Sequence, residues 1–302
     1  MSETRSMAPT VVAMPGLQTG RATSALKIAD WAKGVRLLGV DFTSAPRRSK
    51  SITVASGHLS GRGVQLETLE RCPDWASYEA VLLRQGPWLG GFDFPFGLPR
   101  EAVLDLGWPL HWDQLLAHCT ALGRARFRAA LDGYRQTRPV GRRYAHRATD
   151  LPARSHSPMK LVNPPVGLMF LEGAPRLMAA GITLPGMHCG DPARIAIEAY
   201  PGLLARSITA HSYKSDEKRK QTPSRLAARI QIAAALRKGE HALQLKLQAG
   251  DEQLDALVQD ASGDLLDATL ALMQAAWCLH AGPPGFGLPP GFDPIEGWIA
   301  GA

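Results

Sequence analysis

Residues 35–45, VRLLGVDFTSA, narrow the fold of this chain more than any other stretch. Apart from Arg36 the run is apolar until it meets one carboxylate, Asp41. In a strand, Leu37, Gly39 and Asp41 point to one face and Leu38, Val40 and Phe42 to the other. A strand apolar on both faces belongs in the middle of a covered sheet. An acid at the end of such a strand is costly to bury without a partner. A cation, a donor network or open water has to offset that cost. Asp41 therefore reads as the first of several carboxylates that hold a divalent metal.

The remaining composition sets outer bounds. With 302 residues, 45% hydrophobic and 20% charged, the chain fits a globular protein of one large domain or two small ones. No stretch is long and apolar enough to span a membrane, and the opening MSETRSMAPTVVAMPG lacks the charged-then-apolar pattern of a secretory signal. The expectation is a cytoplasmic protein without a membrane partner. Cys72, Cys119, Cys189 and Cys278 form no CxxC or Cys/His metal spacing, which argues for ordinary thiols in a reducing compartment. The histidines are scattered, with no HxxxH or HxH pair, and none is assigned a catalytic role. A formal charge of +7 permits a polyanionic partner.

Along the chain, residues 1–34 are predicted to be a mobile arm, with a short helix over 24–33. The domain is expected over 35–302, with an insertion at about 100–190. Strand one covers 35–42. SITVASGHL (51–59) and GVQLETLER (63–71) form a hairpin around SGRG. Asp74 caps a helix over 75–85, and PWLGGFDF (87–94) is a second apolar strand ending in a carboxylate, Asp93. The insertion is basic and partly helical. RIAIEAY (194–200) is a third strand, carrying Glu198, an acid that could instead pair with an arginine of the insertion. Thr222 and Pro223 open a helix closed by Gly239, another covers about 252–259, and the last long helix runs over about 264–280.

Asp41 follows GV, Asp93 follows GF and Glu198 follows AI, and the residue two places before each acid is small: Gly39, Gly91 and Ala196. Small neighbours on the acid's own face leave room for an ion or substrate. If the three strands are parallel and adjacent, the carboxylates lie in a row roughly 5 Å apart. That is close enough for shared metal ions about 4 Å apart. Asp264 and Asp267 are three apart on the last helix and share a face, against a helix otherwise apolar on most sides. Either can be the ligand, since Asp264 is also placed to cap the helix. Hard oxygen ligands of this kind suit Mg²⁺ or Mn²⁺ rather than zinc.

GVDFTSA, the hairpin, GFDFPFGLP, IEAYP, SYK, DLLDATLALMQAA and the terminal EGWI together resemble the family catalogued as domain of unknown function 429. The likeness spans about residues 35–300 outside the insertion. The D-x-x-D-A helix is also similar to that of Holliday-junction resolvases. The resemblance implies an α/β protein of RNase H-like fold and nuclease activity. Its central mixed five-stranded sheet is ordered 3-2-1-4-5 with strand 2 antiparallel. Asp41, Asp93 and Asp267, with Glu198 or Asp264, would hold the metals. The glutamate that RNase H proper carries on its first helix has no clear match, Glu79 being the available residue.

The chemistry that follows is in-line phosphodiester hydrolysis by a two-metal carboxylate mechanism, with Asp41 on the central strand as the bridging ligand. Arg138, Arg142, Arg143 and Arg147 in the basic run, together with Lys214, would contact a nucleic-acid backbone. Tyr144, Trp108 and Trp112 would stack bases or form the insertion's own core. The basic run equally fits a solvated surface or arginine–carboxylate packing. Three other readings stay open: a non-catalytic metal- or nucleic-acid-binding module, hydrolysis of a small phosphorylated metabolite, and phosphotransfer. The last rests on a faint likeness of Asp41-Phe42-Thr43-Ser44 to the phosphate loop of actin-like kinases, in which Phe42 stands where glycine is needed.

Overall fold

Strand β1 (Arg36–Asp41) is the spine of the protein, and every one of its residues after Arg36 is buried. Leu37, Leu38 and Val40 are fully enclosed, each contributing about 1.5–3 kcal/mol of apolar burial. The computed structural model describes residues 32–302, so the arm expected over 1–34 and its helix over 24–33 lie, up to residue 31, outside the described residues.

The hairpin forms as β2 (Ile52–Ser60) and β3 (Gly63–Cys72), turning at Gly61 with a φ of 62°, a left-handed conformation that favours glycine. Helix α1 (Trp75–Leu82) starts at Asp74, whose carboxylate accepts from the Ser77 amide at 2.8 Å in a reciprocal capping box. Strand β4 (Trp88–Asp93) follows. The insertion then folds as α2 (Arg100–Asp105), α3 (Trp112–Gln136, broken at Gly123), α4 (Asp150–Ala153), α5 (Val166–Ala179) and the short β5 (Ile182–Thr183). The chain returns through β6 (Asp191–Glu198), α6 (Pro201–Arg206), α7 (Pro223–Lys238), β7 (Lys246–Gln248), α8 (Asp251–Gln259) and α9 (Asp264–Ala281).

One mixed sheet of seven strands results, ordered β5-β6-β4-β1-β2-β3-β7. It is larger than the five-stranded sheet expected, because the two- and three-residue strands β5 and β7 extend its edges. Only β2 runs antiparallel to its neighbours. Helices cover both faces. On one, Leu38, Val40 and Phe92 share a core with Leu115, Phe127 and Phe170 of the insertion. On the other, Leu37, Leu89 and Ile197 pack with α7 and α9. The insertion is thus built into the sheet's own core. Trp108 and Trp112 are buried there, and the Trp112 indole donates to the Phe96 carbonyl at 2.7 Å, so neither is open to stack a base. No helix among the described residues is long and apolar enough to cross a membrane.

The small residues beside the acids do a different job from the one expected. A Cβ on Gly39 would lie 2.1 Å from the Ala268 carbonyl oxygen and 2.2 Å from the Leu272 amide nitrogen. One on Gly91 would lie 2.5 Å from the Ala271 oxygen. The space therefore belongs to α9, which packs backbone to backbone on β1 and β4, rather than to an ion or substrate.

Candidate metal centre

The parallel pairing of β1 with β4 sets Asp41 directly beside Asp93 in register. Both sit at the carboxyl ends of their strands, where ligands bind in open α/β sheets. Close packing of α9 brings the first turn of that helix to the same point. Carboxylate oxygens of Asp41, Asp93 and Asp267 all lie within 4.8 Å of one another. Asp41 and Asp267 are buried, and Asp93 is partly exposed.

Glu198 departs from the pattern read in the sequence. In the β4–β6 register it pairs with Phe92, not Asp93. A shift of one residue turns a side chain to the opposite face of a sheet. Glu198 therefore faces the insertion, where both its oxygens accept from the Arg147 guanidinium at 2.7 and 2.8 Å and one also accepts from the Phe96 amide at 3.0 Å. Burial pushes its pKa up, against the pull of Arg147. Asp264 also stands apart. It takes the Lys50 ammonium at 2.8 Å, and that ammonium is shared with Asp216 at 3.0 Å. The capping role open to Asp264 falls instead to Asp260, whose carboxylate accepts from the Leu265 amide at 2.9 Å. Asp267 is thus the acid of α9 that joins the cluster.

Crowding three acids in a buried place has the expected electrostatic cost. Burial, then the charge of Asp267, holds Asp41 well above the ordinary carboxylate range, with Lys214 opposing. Burial raises Asp93 to about 7, again against Lys214. Asp267 is raised by burial too, although its oxygens accept from the Tyr213 hydroxyl at 2.5 Å and from the Lys214 ammonium. Burial disfavours the Lys214 ammonium, but Asp267 and the neighbouring groups outweigh it and hold that lysine well above its ordinary value. Opposite Asp41 on β2 lies Thr53, whose buried hydroxyl has no hydrogen-bond partner among the described residues. Excess negative charge, hard oxygen donors and an orphaned hydroxyl across from them fit a divalent cation.

Asp41 and Asp93 open into a cleft of about 910 Å³ between the insertion and the segment after β6, with Asp267 buried behind them and Lys50, Arg147, Arg206, Tyr200 and Lys214 among its walls. Arg147 is the main correction to the predicted phosphate contacts. It is 2% exposed and clamped between Glu198 and Asp150, the latter at 2.9 Å, so its fork has no capacity left for a backbone phosphate. Arg138 is bound to Glu101 at 2.5 Å and Asp105 at 3.2 Å. Arg142 and Arg143 are exposed but do not line the cleft. Tyr144 is partly buried and hydrogen-bonded to Arg135 at 2.9 Å. Glu79 pairs with Arg176 at 3.0 Å, outside the cleft. Lys214 alone of the predicted phosphate ligands reaches the carboxylates.

Sequence reasoning missed Lys50 and Tyr213. The first is one of three cations close together after strand one, with Arg47 and Arg48, and nothing in that run singles it out; the second carries no signal beyond adjoining Lys214. Tyr213 is held from behind by Arg229, which donates to its carbonyl at 2.7 Å and to that of Val258 at 2.6 Å.

Fold and site together define a mixed α/β protein with a buried acidic triad that could hold a metal ion. No family model, no curated protein and no solved structure matches the chain.

Proposed function

We propose that this protein is a metal-dependent hydrolase of phosphodiester bonds, a nuclease of RNase H-like fold akin to the family it resembles in sequence. The observation that carries the reading is the meeting of Asp41, Asp93 and Asp267 from two adjacent parallel strands and one helix. The run β3-β2-β1-β4-β6, with β2 alone antiparallel, supports it, since that is the 3-2-1-4-5 order of the fold. Mg²⁺ or Mn²⁺ on the triad would lower the pKa of a water and offset charge on the phosphoryl oxygens. The chain's own contribution is to hold the three acids rigidly, Asp267 through Tyr213 and Lys214. Lys50 and Lys214 present positive charge to the cleft where phosphate charge would lie.

The cleft volume lies within the range of small-ligand pockets, and the exposed arginines of the insertion lie away from it. Those two facts favour a single strand or a strand end over a continuous duplex. They also keep open hydrolysis of a small phosphorylated metabolite. Incubation with Mn²⁺ and single-stranded, duplex and branched oligonucleotides, and with small phosphoesters, tests the proposal. The expected result is cleavage of single strands that Asp41→Asn abolishes. Cleavage by the variant at the wild-type rate would overturn the assignment, and turnover of small phosphoesters alone would select the second reading. Metal binding without cleavage of any substrate would point to a non-catalytic module.

A further inference from the structure

Among the described residues, the lysines and arginines that line the cleft are Lys50, Arg147, Arg206 and Lys214. Three of them rest on carboxylates: Lys50 on Asp264 and Asp216, Arg147 on Glu198 and Asp150, and Lys214 on Asp267. Arg206, the last residue of α6, makes no ion pair among the described residues. Neutral groups hold it instead. Its guanidinium donates to the Ala153 carbonyl at 2.5 Å and to the Tyr200 hydroxyl at 3.4 Å, and lies 5.1 Å from the centre of the Tyr200 ring. A Cβ on Gly202 would come within 3.0 Å of that ring and 3.1 Å of the guanidinium, so any larger residue would crowd the pair. Arg206 is thus fixed in place with its charge unmatched, and these contacts use two of its five N–H donors.

The surroundings of Arg206 are positive as well. His156 also lines the cleft, and its Nε2 lies 3.4 Å from the Lys160 ammonium. Burial, followed by the charges of Lys160, Arg206 and His146, pushes the His156 pKa down. Neither His156 nor Lys160 pairs with a carboxylate among the described residues. Cations gathered without an acid repel one another, and an anion seated among them removes that cost. A guanidinium fork with donors to spare matches phosphate oxygens best. We propose that Arg206, His156 and Lys160 form a subsite for a second phosphate of the substrate, distinct from the phosphate attacked at Asp41 and Asp93. The anion site stands on the contacts around Arg206, whereas its assignment to the substrate rests on the phosphodiesterase reading. The substrate selected is a short strand with more than one phosphate, in preference to a molecule that carries only the scissile one.

The test has two arms, both on the full chain. In the first, inorganic phosphate is titrated in the presence of EDTA and followed by ³¹P line broadening. The wild type is expected to bind saturably, and Arg206→Met at least about 10-fold more weakly. Arg206 also holds the Ala153 carbonyl, so should that variant fail to fold, His156→Ala combined with Lys160→Ala takes its place with the same expectation. No binding to the wild type, or equal binding to a folded variant, would overturn the subsite. In the second arm, Mn²⁺-dependent cleavage of a trinucleotide with two phosphates is compared with that of a dinucleoside monophosphate. The wild type is expected to favour the trinucleotide in kcat/KM, and the preference to fall at least about 10-fold in Arg206→Met. An equal preference in both proteins would overturn the substrate assignment. Phosphate binding through Arg206 without cleavage of either substrate would overturn the phosphodiesterase reading and leave the anion site standing.

Discussion

Asp93 carries the clearest chemical signature in the protein. Its pKa, near 7, is raised from an ordinary 3.8 chiefly by burial. The folded-state value lies above the unfolded one, so the group favours folding below about pH 4, and that contribution is lost as pH rises through 7. Metal-free protein is therefore expected to melt at a lower temperature at pH 8 than at pH 5, with a smaller difference in Asp93→Asn. An equal difference in the two proteins would contradict the assignment. Mn²⁺ affinity should run the other way, rising from pH 6 to pH 8, because ligand carboxylates must give up their protons. Gly39 is diagnostic in another sense. A methyl group there would meet the Ala268 carbonyl at 2.1 Å, and backbone atoms cannot step aside as a side chain can. Gly39→Ala should cost about 3 kcal/mol, at the upper end for overpacking, read as a lower urea midpoint. An unchanged midpoint would show that α9 does not press on β1.

Helix α4, strand β6 and the carboxyl-terminal segment are joined through Arg147, which donates to Asp150, Glu198 and the Glu296 carbonyl, the last at 3.0 Å. Arg147→Met would leave two buried carboxylates without their cation. We expect a loss of about 3–5 kcal/mol in urea denaturation, partly restored by adding Glu198→Gln. A variant as stable as the wild type would show that the network is dispensable. The same cluster marks where sequence reading stops. β1, β4 and α9 were legible because each acid ends or begins an apolar element whose period is visible within one segment. Glu198 sits on a strand of the same kind, but the side of the sheet it faces depends on register against β4, a relation between segments that no single-strand pattern contains. The sequence leaves open whether Arg147 and Arg138 face solvent, phosphate or acids for the same reason, since Glu198 and Glu101, which they hold, lie 51 and 37 residues away in sequence, even though Asp150 is only three from Arg147. The roles of Gly39 and Gly91 were half legible: their small size was clear, but not that a helix backbone fills the space.

The molecule as a whole is a sheet covered on both sides, with a large cleft where the insertion, the segment after β6 and the start of α9 meet over the strand ends. Its net charge of +7 does not translate into a basic channel at that cleft, because several arginines of the 124–160 run are bound to acids of the insertion. Replacing both Arg142 and Arg143 by alanine should accordingly change affinity for a short single strand by less than about 3-fold at physiological salt, measured by fluorescence anisotropy. A loss of about 10-fold or more would put the nucleic-acid contact on the insertion surface rather than in the cleft. The functional reading depends on whether the triad binds a metal. Calorimetric titration of Mn²⁺ and Mg²⁺ into the wild type and Asp41→Asn decides that without a substrate. We predict saturable binding to the wild type that disappears in a variant whose fold is intact. No binding to the wild type, or equal binding to both proteins, would contradict the assignment of Asp41, Asp93 and Asp267 as a metal centre.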